Sequence, residues 1–362
     1  MGSVLHLDLP FRQATPAARK IALIQRFAAE RRSRGDVFWL KENAELLNLL
    51  ESTGARLEPE ALEPLADFYE HFESRLGFFP QYYRFLLSLC LDLEDLGLSG
   101  TKGEAAARWV AQEGLADAEL SDLQRAEARR LCQRRGIEPL KADEALTHRL
   151  YAFVTQCETF ARPNKKAAYE LTHIVFYLSE YGRRSPELPR AALDSLHHAG
   201  TLAFLELNTD LLSEVCIALR FAGQTPPVTW ESWLFAQARL FVVESGAPGW
   251  AQDDYHPYLM INWAMSVAGQ GGFGAQIPEG PIQFRAPRPH VAPLRELSEG
   301  LLAMAQDRRP EWHHMRDRVG DSLSDAAREV LQEAEAAVDF EAFFAGFARA
   351  GGPAACPSGP TR

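Results

Sequence analysis

Two histidines and two carboxylates, His173, Asp210, Glu214 and His256, occupy equivalent places in consecutive stretches of one repeating pattern. The stretches 169–182, 210–223 and 256–269 are apolar runs, each closed by a glycine. Residues 13 and 9 positions before that glycine are one helical turn apart and share a face. Two imidazoles and two carboxylates on neighbouring helices suit zinc or non-haem iron, and helical bundles hold such ions in their cores. A divalent ion there would polarise a substrate or activate water or oxygen. The spacing therefore predicts His173, Glu214 and His256 as metal ligands, with Asp210 the fourth ligand or the general base. Asp210 and Glu214 are the expected catalytic carboxylates. A plainer alternative is a buried polar network in which each histidine donates to a carboxylate while Arg84 or Lys41 balances the charge. Cys216 is a second choice of ligand, because two residues from Glu214 it points about 200° away around a regular helix.

These residues need a scaffold, and the repeat supplies one. Closing glycines recur at 54, 97, 136, 182, 223 and 269, at intervals of 43, 39, 46, 41 and 46 residues. That period fits two helices and two short connections, an αα-hairpin repeat. Upstream, the paired positions are Lys41/Glu45, Arg84/Ser88 and Leu123/Glu127, followed by Tyr169/His173, Asp210/Glu214 and His256/Met260. Between them lie second helical patterns at 15–32, 59–76, 103–114, 141–160, 189–207 and, capped by Thr229, 230–244. The units are thus about 15–54, 59–97, 103–136, 141–182, 189–223 and 229–269. From 164 onward the glycine-ended helices are apolar almost all round, which favours a closed ring over an open superhelix. The expected fold is all-α, an (α/α)6 toroid-like array forming a single domain over 1–350. In such a ring the paired positions become two polar layers lining a lumen. Lys41 and Arg84 would hold an anionic group of the substrate there, with Tyr169 and Trp263 beside it.

After Gly269 a Gly/Pro-rich loop, 270–293, is expected to lie over the lumen as a lid, anchored by Phe273, Ile277 and Phe284. C-terminal helices are expected within 294–349, at 294–306 and 322–349, before a disordered tail, 351–362. His197-His198 and His313-His314 are adjacent pairs whose side chains diverge by about 100° on a helix, which suits surface or packing roles. Glu180 falls near the far rim as a solvated or capping residue, and Trp230, Trp233 and Trp250 read as core.

Composition sets outer limits. The 362 residues carry a net charge of −11, which argues against a nucleic-acid partner. No apolar run is long enough for a membrane span, and the start lacks a charged segment followed by an apolar one, so a cytoplasmic protein without a membrane partner is expected. Five widely spaced cysteines (90, 132, 157, 216, 356) suggest neither a disulfide framework nor a zinc ribbon. The Gly-x-Gly-x-x-Gly match at 269–274 closes an apolar helical run instead of linking a strand to a helix, and neither a P-loop nor a Gly-x-Ser-x-Gly elbow is present, which disfavours nucleotide and α/β-hydrolase chemistry.

The segments Asp36-Val-Phe-Trp-Leu-Lys-Glu-Asn-Ala-Glu-Leu-Leu-Asn-Leu-Leu-Glu and Phe79-Pro-Gln-Tyr-Tyr-Arg-Phe-Leu-Leu-Ser resemble a family of uncharacterised alphaproteobacterial proteins with a domain of unknown function. The resemblance spans most of the chain and implies no reaction. Leu-Thr-His173-x-x-Phe-Tyr-x-x-x-x-Gly182, Asp210-Leu-Leu-x-Glu214 and Tyr255-His256 resemble motifs of other uncharacterised bacterial proteins. More loosely, Glu214-x-Cys216 and Tyr255-His256 are similar to the zinc-ligand positions of α/α-toroid enzymes, the protein prenyltransferases and lanthionine cyclases. That likeness is one of architecture and brings no activity with it.

The expected function is a metal-dependent enzyme acting on a small molecule or peptide segment in the lumen. One alternative is a metal-free carbohydrate-active enzyme pairing Glu45 or Glu127 with Asp210 or Glu214, which needs carboxyl groups roughly 5 to 9.5 Å apart. Another is a non-catalytic interaction module with a filled lumen and an exposed apolar groove.

Overall fold

Short-range signals decide where the helices begin and end. Thr15, Asp36, Ser121, Asn164 and Asn208 each accept a hydrogen bond from a backbone N–H of the following first turn, satisfying a donor that the helix itself cannot. The six closing glycines all have positive φ, the backbone that lets a helix's last turn relax. Gly182 is constrained twice over, since a Cβ there would also sit 2.6 Å from the Phe221 ring.

The computed structural model describes residues 15–140, 143, 145–246 and 253–350. The expected disorder of 351–362, the character of the first residues, Trp250 and Cys356 lie outside the described residues. The first half runs α1 (Pro16–Ala29), α2 (Val37–Ser52), α3 (Pro59–Leu62), α4 (Ala66–Glu70), α5 (Phe72–Phe78), α6 (Tyr83–Leu96), α7 (Lys102–Gln112), α8 (Asp122–Gln133), α9 (Leu146–Val154) and α10 (Cys157–Phe160). It continues through α11 (Lys165–Leu178), α12 (Arg190–Leu205), α13 (Thr209–Phe221), α14 (Val228–Ala238), β1 (Val242–Ser245), α15 (Tyr255–Val267) and β2 (Ile282–Arg285). The chain then forms α16 (Pro293–Ala303), α17 (Trp312–Gly320), α18 (Asp325–Ala337) and α19 (Phe340–Phe347).

The fold is all-α, with one small two-stranded sheet among the described residues. Each glycine-ended helix packs on the next: α2 on α6, α6 on α8, α8 on α11, α11 on α13, α13 on α15, and α15 touches α2. The apolar runs explain this, because Leu46, Leu47, Leu87, Cys90, Leu171, Val175, Leu212, Val215, Leu259 and Ile261 are all buried. Among the described residues no helix is long and apolar enough to cross a membrane. Cys90, Cys132, Cys157 and Cys216 are free thiols.

Four expected helices are corrected: the 322–349 helix divides into α18 and α19, because Val338 leaves the helix with an extended backbone. The 59–76 pattern is broken into α3, α4 and α5, with a 3-10 turn at Glu63–Leu65 where Pro64 removes a backbone donor. The 141–160 pattern gives α9 and α10. The 230–244 pattern stops at Ala238, and Val242–Ser245 instead pairs antiparallel with Ile282–Arg285, in register Val242↔Arg285 to Ser245↔Ile282. Residues 270–293 are therefore well fastened. Phe273, Ile282 and Phe284 are buried, Arg19 donates to the Gly274 carbonyl at 2.7 Å, and Arg26 donates to the Pro278 carbonyl at 2.9 Å. These contacts tie the loop to α1 and α15.

Candidate functional site

Asp210 opens α13 and Glu214 follows one turn later, so both carboxylates leave one face of a helix whose other faces are packed. Across from them, α15 presents His256 and α11 presents Tyr169 and His173. His256 Nδ1 lies 2.8 Å from Asp210 Oδ1, and the Tyr169 hydroxyl donates to Asp210 Oδ2 at 2.6 Å. Thr172 Oγ1 donates to Glu214 Oε2, and His173 Nδ1 is 3.5 Å from the same oxygen while donating to the Tyr169 carbonyl at 2.8 Å. One donor atom each from Asp210, Glu214 and His256 lie within 4.8 Å of one another. Donors around a tetrahedral zinc stand about 3.3 Å apart given bonds of about 2.0–2.2 Å, so modest side-chain rotation would close the set. His173 is the neighbour of this group rather than a part of it.

Burial and charge separate the two carboxyls. Asp210 is half-buried, and desolvation opposes ionisation, but the hydrogen bond and charge of His256 and the Tyr169 hydroxyl hold its pKa below the ordinary value. Glu214 is fully enclosed, and burial pushes its pKa up despite the nearby His173. For His256, burial opposes the charged form, yet the hydrogen bond and charge of Asp210 win and raise it to about 9. Its folded pKa thus exceeds the ordinary value of about 6.5, so the ion pair's contribution is complete below about pH 6.5 and is lost as pH rises through about 9. The stability difference between the native protein and a His256→Gln variant should shrink by on the order of 3 kcal/mol across that window. Urea unfolding at a series of pH values measures it, and a difference that stays flat to pH 9.5 contradicts the pairing.

Of the other expected site residues, Arg84 is engaged by two carboxylates, donating from Nε to Glu119 at 2.8 Å and from Nη1 to Glu127. Lys41 is half exposed, 3.7 Å from Glu45, and Glu45 also accepts from the Tyr255 hydroxyl at 2.9 Å. Trp263 is 1% exposed and packs among Phe176, Tyr181 and Phe221. Cys216 is buried and faces the side of Arg220 and Glu231, away from Asp210 and Glu214, as the helical geometry requires. Glu180 is in contact with Arg184 at the end of α11. His198 donates to the Cys157 carbonyl and His313 meets Glu341, so neither histidine pair joins the site. The sequence argument passed over Thr172 and Glu119. Thr172 was hidden because it adjoins His173 rather than repeating its spacing, and Glu119 because it lies in a connection.

Residues 1–350 match the family described as Domain of unknown function (DUF6902), and the chain belongs to that family. No curated protein and no solved structure matches it.

Proposed function

We propose that this member of the family is a metal-dependent enzyme whose Asp210, Glu214 and His256 hold one divalent zinc or iron ion, with His173 beside them. The observation that carries the proposal is the convergence of three donor atoms within 4.8 Å from α13 and α15, helices that are otherwise apolar. The six inner helices enclose a toroid-like lumen in which a small molecule or peptide segment binds. The circuit of helix contacts that returns from α15 to α2, with Tyr255 bonded to Glu45, supports that closure. Zinc or iron there would supply a Lewis acid toward the bound substrate, with Asp210 serving as a ligand or, left off the ion, as the general base. Free thiols at all four described cysteines suit a reducing compartment, the cytoplasm.

Elemental analysis and titration of protein purified without a histidine tag test the metal. About one equivalent of zinc or iron is expected, with at least a tenfold weaker uptake in Glu214→Gln and His256→Ala. Less than about a tenth of an equivalent, with no uptake on titration, would remove the metal.

A second reading is favoured by the opposite displacement of the two carboxyl pKa values. In it Glu214 acts as a general acid and Asp210 as a base without metal, a division of labour that their different surroundings set. Activity that survives complete metal removal would select it.

A further inference from the structure

A cavity of about 810 Å³ lies where the first turns of α2 and α15 meet β2. Four cationic side chains line it, Arg32, Lys41, Arg285 and Arg288, on a chain whose net charge is −11. Two acids line it as well, and both are engaged. Asp253 takes Arg31 on its two oxygens and the Phe284 N–H on one of them, and Asp254 accepts the Ala286 N–H at 2.8 Å. The carboxylates that meet the cations, Glu42, Glu45 and Glu244, stand outside the lining. The wall therefore offers more donors than acceptors, and an anion with several oxygens suits it.

Arg32 is the fixed part of this wall. Its side chain is 6% exposed, and Nε donates to Glu42 at 2.9 Å. Its guanidinium lies 5.6 Å from the ring of Phe38, which also lines the cavity. Held at Nε and flanked by an aromatic face, the guanidinium keeps one orientation. Its Nη1 and Nη2 make no hydrogen bond among the described residues, and neither is sealed from solvent. Arg288 forms no ion pair among the described residues, and Lys41 comes no nearer to Glu45 than 3.7 Å while Glu45 also serves the Tyr255 hydroxyl. Arg84, the other cation expected to hold an anion, is matched by Glu119 and Glu127.

We propose that this cavity binds a small phosphate monoester, with Arg32, Lys41 and Arg288 around the phosphate and Phe38 beside the organic group. A phosphate monoester brings nearly two charges and three terminal oxygens, enough for the free end of Arg32 and both neighbouring cations, whereas a carboxylate has two oxygens and one charge. The site goes beyond the metal reading and stands without it.

Calorimetric titration of the metal-stripped full chain with inorganic phosphate, phenyl phosphate and acetate, at equal ionic strength, tests it. One phosphate per chain is expected, with phenyl phosphate several-fold tighter through Phe38 and acetate at least about tenfold weaker. Arg288→Gln and Lys41→Met should keep the native Tm and each weaken phosphate binding by about fivefold to tenfold. Arg32→Lys, which keeps the charge and loses the fork, should weaken it by about tenfold or more. Arg309→Gln removes an exposed charge outside the cavity and should leave the affinity unchanged. No saturable phosphate binding overturns the site, as does undiminished binding in Arg288→Gln and Lys41→Met or an equal loss in Arg309→Gln. Acetate binding as tightly as phosphate overturns the phosphate assignment, and phenyl phosphate binding no tighter than inorganic phosphate overturns the ester. Metal uptake is measured separately, so normal zinc or iron binding without phosphate binding sinks this site alone.

Discussion

Replacing Arg31 by alanine is expected to cost about 3–5 kcal/mol of folding stability, because it strands buried carboxylates. Arg31 donates to Glu42 at 2.9 Å, to both oxygens of Asp253 at 2.8 and 3.1 Å, and to the Ile282 carbonyl at 2.8 Å. Its guanidinium also lies 5.0 Å from the Phe27 and Phe284 rings and 5.5 Å from Tyr255. One side chain therefore fastens the first hairpin to the segment entering α15 and to β2. Glu42 would keep Arg32, but Asp253 would keep only the Phe284 N–H. Chemical unfolding gives the loss, and a double-mutant cycle with Asp253→Asn gives the coupling, expected to be about 1–3 kcal/mol. A loss under about 1 kcal/mol would mean that the ends of the repeat array are held by apolar packing alone.

The second large effect is expected at Arg134, where substitution by leucine should cost about 3–5 kcal/mol at neutral pH. Arg134 donates to Asp92 at 2.7 Å and to Asp95 at 2.6 Å, and stands 3.8 Å from Glu51. Asp92 has no exposed surface, and burial already holds its pKa above the ordinary value although Arg134 lowers it. Without Arg134 that pKa rises further. A carboxyl whose folded pKa is raised destabilises the protein above that pKa, and the deficit closes as pH falls through it. The Arg134→Leu variant should therefore regain stability relative to the native protein as pH falls below neutral, and Asp92→Asn in the same background should recover much of the loss at neutral pH. A deficit that does not change with pH would assign the loss to packing.

Part of this architecture is visible along the chain because its causes act within a turn or two. Thr15, Asp36 and Asn164 cap helices through bonds reaching no further than three residues. The closing glycines adopt positive φ where the apolar runs end. Equal spacing from those glycines put Asp210 and His256 at one level with Glu214 one turn beyond, and these three are the residues whose donor atoms converge. Pro64 broke the 59–76 pattern through a missing N–H, a cause present in the sequence but outweighed there by its periodicity.

By itself, then, the sequence determined the helical class, the hairpin period and the faces that carry polar groups, since each follows from local hydrogen bonding and the period of apolar residues. Only the tertiary structure decided the rest. Val242–Ser245 is apolar enough for either helix or strand, and its state depends on a partner at Ile282–Arg285, roughly forty residues away. Spacing could not tell that Arg84 is neutralised by Glu119 and Glu127 while Arg130 lies on the Tyr181 ring with Nε and Nη2 unbonded, because the groups a buried arginine meets come from other parts of the chain. Nor could it place His173 beside the cluster instead of in it, since the Nδ1 bond to the Tyr169 carbonyl and the packing of α11 against α13 set that distance. Electrostatic partners act through space over a few ångströms, and those ångströms are fixed when the helices pack.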